Sequence, residues 1–469
     1  MDADVQQKNR FFIMMAICLG AFLSHFTAGI VNVSLPQFTQ IFQTELAWAQ
    51  WITTGYLLVI ASLLPIMGKL GDRYGHRLLH NYGFLLFTVS SVLVAFSTTI
   101  TMLLVLRIVQ AIGAAMFQAT NIALISILVP KEIRGRALGI MSTAVALGGM
   151  SGPIAGGFIA SWLSWEWLFL IHVPVAIVAT GLAFHYIPST KQIKKTGSLD
   201  QVGAALFMLV VSSVIIAISN GNRWGWASEG MLILFGGVLV LALVFVRWER
   251  RQSVPFLPVA VFRLSAVSSG LFISFTSFVL ANLVLVVLPF YLLDQAHVSP
   301  LKAGYMMTAY PLLLALTGPF SGWASDRYRA RPLIFAGLGA MGAGMTVLAI
   351  WLEGLSTVET IAVLALVGAG MGLIASPNNS YIMRHVPIEH AGAIGGMIAL
   401  TRNAGMVVGA ALGLGMMNGE SNQAVQMTID AYRTVFEAGS LICLSGLFVW
   451  WYAGRLERQK KRGTEVEKA

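Results

Sequence analysis

Apolar residues run in blocks of about twenty along almost the whole chain, broken by short polar stretches, and about twenty is the length a membrane-spanning helix needs. Fourteen blocks qualify, near 11–35, 48–67, 79–97, 102–126, 136–160, 165–187, 202–219, 230–247, 266–292, 303–324, 332–352, 359–377, 393–417 and 433–453. The pattern predicts an all-α integral membrane protein.

The polar breaks repeat. GKLGDRYGHR, Gly68 to Arg77, recurs as GWASDRYRAR, Gly322 to Arg331, at a constant offset of 254. Gly68 pairs with Gly322, Asp72 with Asp326, Arg73 with Arg327, Tyr74 with Tyr328 and Arg77 with Arg331, while Gly75 faces Arg329. A glycine stripe repeats as well. Gly148, Gly152 and Gly156 stand four residues apart in the fifth block, with Pro153 and Gly157 beside them; Gly405, Gly409 and Gly413 follow in the thirteenth, with Met406 in place of the proline. Small residues at this spacing let two helix backbones come close. Two repeats at matching places predict two related six-helix halves, 1–187 and 265–454. Between them, 188–264 holds the basic linker KQIKKTGSLDQVG and two spans without a counterpart, and 455–469 forms a basic tail.

Composition agrees: 57% of residues are hydrophobic, 11% charged, and mean hydropathy is +0.77. A soluble domain carries about 25% charged residues. The net charge of +10 is placed unlike a nucleic-acid surface. Numbering the loops alternately from Lys8 and Arg10 puts 25 of the 30 Lys and Arg on one side. That bias predicts cytoplasmic termini and puts both copies of the charged motif in the cytoplasm. The tail Arg455–Arg462 is expected against anionic headgroups. Cys18 and Cys443, far apart in apolar blocks, suggest neither a disulfide nor a metal site. The first apolar run is too long for a cleavable signal and lacks an A-x-A site, so it is expected to stay.

Polar side chains inside spans face protein or water, because hydrocarbon satisfies none of their hydrogen bonds. His25, Thr27 and Asn32 close the first span; they serve helix–helix hydrogen bonds or line a cavity. Arg107 lies about five residues into the fourth, where a charge costs about 2.5–3.5 kcal/mol. It either turns inward to a partner or snorkels outward. Gln110, Gln118 and Asn121 share roughly its face. Asn282, Tyr310, Asn378 and Arg402 are further candidates for a polar interior. Asp72 has several possible partners: backbone N–H groups at a neighbouring helix start, Arg73, Arg134 or Arg136.

The chain has no GxxxxGK[ST] loop for ATP, no H-E-x-x-H, no Cys cluster and no Ser/His/Asp arrangement. The reading is a cofactor-free secondary transporter, not an enzyme, that binds a small molecule near the midplane and works by alternating access in a lipid bilayer. It is expected to act as a monomer, without ATP or nucleic acid.

The motifs together resemble the major facilitator superfamily, and within it the fourteen-span drug:proton antiporters of the EmrB/QacA type. Gly68–Arg77 matches the loop between spans 2 and 3. Leu106–Ala115 is similar to the span 4 motif, with Ala111 where a glycine is usual. Gly148–Gly157 resembles the antiporter motif of span 5. Ile30–Pro36, Trp165–Pro174, Leu199, Asp200, Gly203 and Trp224–Trp226 match elsewhere. The resemblance implies a bacterial cell-membrane exporter driven by the proton gradient, active in multidrug efflux and antibiotic resistance. Gly68, Asp72, Arg73, Gly75, Arg77, Asp326, Arg327 and Arg331 would form a cytoplasmic gate. Arg107 would assist proton transfer, and Gly148, Gly152, Pro153, Gly156 and Gly157 would form a helix pivot. His25, Asn32, Gln110, Gln118, Asn121, Asn282, Tyr310, Asn378 and Arg402 would line the substrate cavity.

One departure changes the picture. The family usually carries an aspartate in span 1 where Thr27 stands here. No acid lies deep in any span, so neutral, zwitterionic or anionic substrates fit better than cations. The titrating group is then His25, Asp294 or Glu437. Two other readings stay open: an exporter of one metabolite, peptide or lipid-like compound, not necessarily driven by protons, and a non-transporting membrane sensor.

Overall fold

The computed structural model describes residues 3–31, 34–188, 200–252, 255–257, 259–417 and 429–466. Among them every regular element is a helix. The first six expected spans appear as α1 (Ala3–Ile30), α3 (Leu46–Tyr74), α4 (His76–Ala95), α5 (Ile100–Leu128), α6 (Arg134–Trp162) and the pair α7 (Trp167–Leu170) and α8 (Val173–Tyr186), with a short α2 (Leu35–Ile41) after the first. Then come α9 (Gln201–Trp224), α10 (Glu229–Glu249) and a short α11 (Val259–Phe262). The last six spans are α12 (Ser265–Asp294), α13 (Pro300–Met307) with α14 (Ala309–Arg327), α15 (Ala330–Trp351), α16 (Thr357–Arg384), α17 (Ala391–Met417) and α18 (Ile429–Val466).

Among the described residues, thirteen stretches are long and apolar enough to cross a membrane. The fourteenth expected span, near 303–324, is present but parted at Thr308 into α13 and α14, and neither piece qualifies alone. Pro311 lacks the N–H that would reach back to Met307, which weakens the helix there. Pro174 stands in the same relation to Leu170 at the break between α7 and α8.

The charged motif is less of a loop than its sequence suggests. α3 runs through it to Tyr74, α4 begins at His76, and Gly75 alone makes the turn. Its φ of 99° is a left-handed conformation open mainly to glycine, and its N–H still reaches the Gly71 carbonyl at 2.9 Å. In the second copy the turn is made by Tyr328 at φ −116° and Arg329 at φ −73°. No positive φ is needed there, which explains why an arginine can replace the glycine.

The helices form two compact units. The first comprises Met1–Ile216, Gly237–Leu257 and Pro387–Leu400; the second comprises Ala217–Gly236, Pro258–Val386 and Thr401–Ala469. In the first, α1 packs on the glycine stripe of α6. A Cβ at Gly152 would lie 2.7 Å from the Phe26 carbonyl oxygen, and one at Gly148 or Gly156 would run into the carbonyl of Phe22 or Ile30. Stacked Phe84 and Phe117, 4.6 Å apart, fill the space between α4 and α5. In the second unit, α12 packs on α17 in the same manner. A Cβ at Gly405 would lie 2.6 Å from the Phe275 carbonyl oxygen, and one at Gly409 would meet that of Val279. The repeated stripe therefore does one job twice: it replaces side chains by direct backbone approach.

α10 exposes Leu232, Ile233, Leu239, Val240, Leu243 and Val244. An apolar helix exposed around its girth suits a lipid surround. α18 continues without a break into the basic tail, and the Arg455 guanidinium sits 3.9 Å from the Trp451 ring centroid.

Candidate functional site

The polar side chains of the spans fall into separate groups. The first is built on Asp72, at the end of α3. Its Oδ1 accepts the Gly392 N–H at 2.8 Å and its Oδ2 the Ala393 N–H at 2.9 Å, both in the first turn of α17. His76 Nε2 lies 3.3 Å from Oδ1. Of the partners left open by sequence, the helix start takes the carboxylate, where free N–H groups and the helix dipole favour an anion. A Cβ at Gly68 would collide with the Gly392 carbonyl, so the close approach needs glycine on both sides. Arg73 lies 5.5 Å from the Tyr74 ring centroid, and Arg77 Nη2 donates to the Phe184 carbonyl at 3.2 Å.

The second copy is wired differently. Asp326 faces Arg384 Nη2 at 3.5 Å, and that guanidinium also donates to the Ser325 carbonyl at 3.1 Å. Arg327 packs 5.1 Å from the Trp323 ring centroid. Arg331 lies between the rings of Tyr381 and Trp450, at 5.8 and 5.2 Å.

Arg107 turns inward and is 1% exposed. Nε donates to the Ile52 carbonyl at 3.1 Å and Nη1 to Gln110 Oε1 at 2.6 Å, while the guanidinium carbon sits 4.1 Å from the Tyr56 ring centroid and 5.5 Å from that of Phe169. Gln110 Nε2 donates to Ser91 Oγ at 2.6 Å, and His172 Nε2 meets the same hydroxyl at 3.2 Å. The chain Arg107–Gln110–Ser91–His172 thus joins α5, α4 and the α7–α8 break with no carboxylate in it. Hydrogen bonds and two aromatic faces stand in for a counter-ion.

His25, on α1, contacts the Ala21 carbonyl at 2.9 Å and Ser24 Oγ at 3.0 Å through Nδ1. Gln118 Nε2 donates to the same Ser24 hydroxyl at 3.1 Å, tying α1 to α5. Thr27 and Asn121 are buried close by in sequence, and Thr27 Oγ1 and Asn121 Oδ1 have no hydrogen-bond partner among the described residues. Asn32 and the Asp294 side chain lie outside the described residues. Pro153 and Gly157 sit on α6 beside the stripe, with Pro153 near Gly29 of α1.

In the second unit, Asn378 Nδ2 donates to the Gly270 carbonyl at 2.8 Å and clamps α16 to α12. Asn282 donates to Phe278 of its own helix, and Tyr310 is buried with its carbonyl against Gly368. Glu437 is exposed on α18. Arg402 is 6% exposed, and no hydrogen bond or ion pair joins it to any described residue.

Several contributors escape sequence reasoning. Tyr56, Ser91 and His172 look like ordinary members of apolar helices, and only packing gathers them around Arg107. Glu249 is a buried carboxylate whose oxygens accept the N–H groups of Phe256 and Leu257 at 3.2 Å each. Lys69 donates to the neighbouring Pro255 carbonyl at 3.1 Å. The segment after α10 is thereby fastened to the charged motif. Lys69 inside the motif was the one available signal, and it named no partner.

Two helical units with glycine-sealed helix pairs, polar chains inside them and apolar outer faces define a multi-pass membrane transporter. The chain belongs to the Major Facilitator Superfamily, whose model matches residues 17–280 and 267–469. It is 32% identical over 405 residues to the riboflavin transporter RibZ of Clostridioides difficile, covering 86% of this chain and 87% of that one. It is 28% identical over 406 residues to the multidrug resistance protein Stp of Mycobacterium tuberculosis, covering 86% and 75%. Among solved structures, the proton:xylose symporter XylE superposes with a TM-score of 0.67 at 14% identity, over 96% of each chain, which speaks to the fold alone.

Proposed function

We propose that this chain is a proton-coupled exporter of small amphipathic compounds, of the fourteen-span drug:proton antiporter type, in the bacterial cytoplasmic membrane with both termini inside. The observation that carries the reading is the glycine stripe of α6, sealed against α1 with no room for a Cβ. A helix pair held by backbone contact can rock as one piece. The drug-efflux names among its relatives support the same direction. In this reading Gly68, Asp72, Arg73, Gly75 and Arg77, with Asp326, Arg327 and Arg331, form the cytoplasmic gate. Asp72 latches one conformation by capping α17. Arg107 holds the polar chain toward His172, and His25 takes the proton that an acidic residue would take in relatives. Asp294 and Glu437 are the alternative carriers. Gln110, Gln118, Asn121, Asn282, Tyr310, Asn378, Arg402 and Asn32 are assigned to the substrate path. Alternating access follows from release and re-formation of the Asp72 latch.

The test is efflux from loaded cells or everted vesicles with and without an uncoupler. Loss of export on collapse of the proton gradient is expected, and export that survives it overturns the coupling.

A second reading, export of one particular metabolite, is favoured by buried Thr27 in place of an acid and by the similarity to a riboflavin transporter. A resistance panel separates the two: broad protection supports the first, and protection confined to one compound supports the second.

A further inference from the structure

Each unit buries one arginine within its spans, and the two are treated in opposite ways. Arg107 has a carbonyl, an amide and two aromatic rings around its guanidinium. Arg402, on α17, is 94% removed from solvent, and nothing among the described residues pairs with it. Its Nε is sealed without a hydrogen-bond partner among the described residues. The adjacent Thr401 donates to Ser274 Oγ of α12 at 3.2 Å. α12 brings the hydroxyls of Ser269, Ser274, Thr276 and Ser277 into the interior of the unit and carries no charged residue before Asp294. The counter-charge is therefore missing from the stretch of α12 that packs against this helix.

A guanidinium cannot discharge itself by losing its proton, so it keeps its charge wherever it is buried. A buried charge without a partner is strongly destabilising, and in membrane helices such residues mark functional sites. Its planar fork of N–H donors matches a carboxylate or a phosphate in bidentate geometry. We propose that Arg402 recognises the anionic group of the transported compound, so that the substrates are small organic anions. This rests on the transporter reading above and adds to it the charge of the cargo. The arrangement also disfavours cations, since no carboxylate among the described residues offsets Arg402. The buried Ser274 hydroxyl, bonded to the adjacent Thr401, supplies a neutral hydrogen-bonding group that tolerates an anion.

The test uses three fluorescent dyes on one xanthene skeleton: anionic carboxyfluorescein, rhodamine 110 of net zero charge and cationic rhodamine 123. Equilibrium binding to the purified full chain in detergent is measured by fluorescence anisotropy, which needs no coupling. The wild type is expected to prefer the anion. Arg402→Gln is expected to weaken anion binding by about tenfold or more and to shift preference toward the cation, with Arg402→Lys intermediate, as loss of a charge-assisted bidentate contact requires. A purely structural arginine would instead weaken all three dyes alike, and that result overturns the proposal. So does a wild type that shows no preference for the anion, or an Arg402→Gln chain that keeps it. Flux of the same dyes into vesicles decides the transporter reading separately. Arginine-dependent anion binding without any flux keeps the site and sinks the transport assignment, whereas flux without anion preference sinks only the site.

Discussion

Asp72 and Gly392 stand 320 residues apart in the chain, and the carboxylate Oδ1 of one accepts the backbone N–H of the other at 2.8 Å. With the Ala393 N–H on Oδ2 at 2.9 Å, both oxygens are used by donors that have no helical partner of their own. An amide in place of the carboxylate keeps one acceptor and turns an NH2 toward the other N–H. A hydrogen bond to a charged group contributes about 1.5–3 kcal/mol, so Asp72→Asn is expected to cut the initial efflux rate about tenfold or more. The protein should still reach the membrane. Efflux normalised to immunoblotted protein checks this, and an unchanged rate at normal abundance counts against the latch.

Gly75 and Arg329 offer a paired test of the turn. Gly75→Ala places a Cβ on a backbone at φ 99° and is expected to destabilise by about 1–2 kcal/mol. Arg329→Gly, at φ −73°, removes no such constraint and should change stability by a few tenths of a kcal/mol. Thermal unfolding of the purified variants in detergent measures both, and equal losses at the two positions would contradict the account.

Tyr56 supports Arg107 through its ring face, while its hydroxyl has no hydrogen-bond partner among the described residues. Tyr56→Phe is therefore expected to keep efflux and stability near the wild-type level. Tyr56→Leu removes a desolvated cation–π contact of about 2 kcal/mol and should lower both. Efflux rates and melting midpoints of the two variants, compared side by side, decide it.

Gly149 and Gly152 differ by less than one helical turn and by everything that faces them. A Cβ at Gly149 meets nothing within 4 Å; one at Gly152 lies 2.7 Å from the Phe26 carbonyl oxygen and 3.0 Å from the Ile30 nitrogen. Gly149→Ala should be tolerated. Gly152→Ala forces α1 and α6 apart and is expected to destabilise by about 1–3 kcal/mol, with loss of transport. Detergent stability and efflux should both separate the pair.

Much of the architecture is legible in the chain because hydrocarbon leaves few choices. A run of apolar residues of the right length must be a helix with its backbone bonds closed internally. Thirteen of fourteen expected spans follow from that rule. The broken tenth escapes it because Pro311 acts on local geometry and leaves hydropathy unchanged. The glycine stripes are legible for a similar reason: spacing alone states that one face is flat, and in both units that face is sealed by a neighbouring backbone.

Partners are another matter, because they depend on which helices meet. Nothing local links Asp72 to Gly392, or Arg107 to Tyr56 and the His172 ring. Asp72 had four candidate partners in the sequence, and the N–H groups of α17 took it because they arrive unpaired. Arg107 and Arg402 look alike in the sequence, each a lone arginine in an apolar span. The sequence by itself determined that both charges lie within apolar spans and that no acid lies deep in those spans beside them. The tertiary structure alone decided that packing brings Arg107 its partners and leaves Arg402 with none among the described residues. The reason is physical: hydropathy along one helix places a charge within the membrane, whereas its burial and pairing need a second helix to present the right group within about 3 Å.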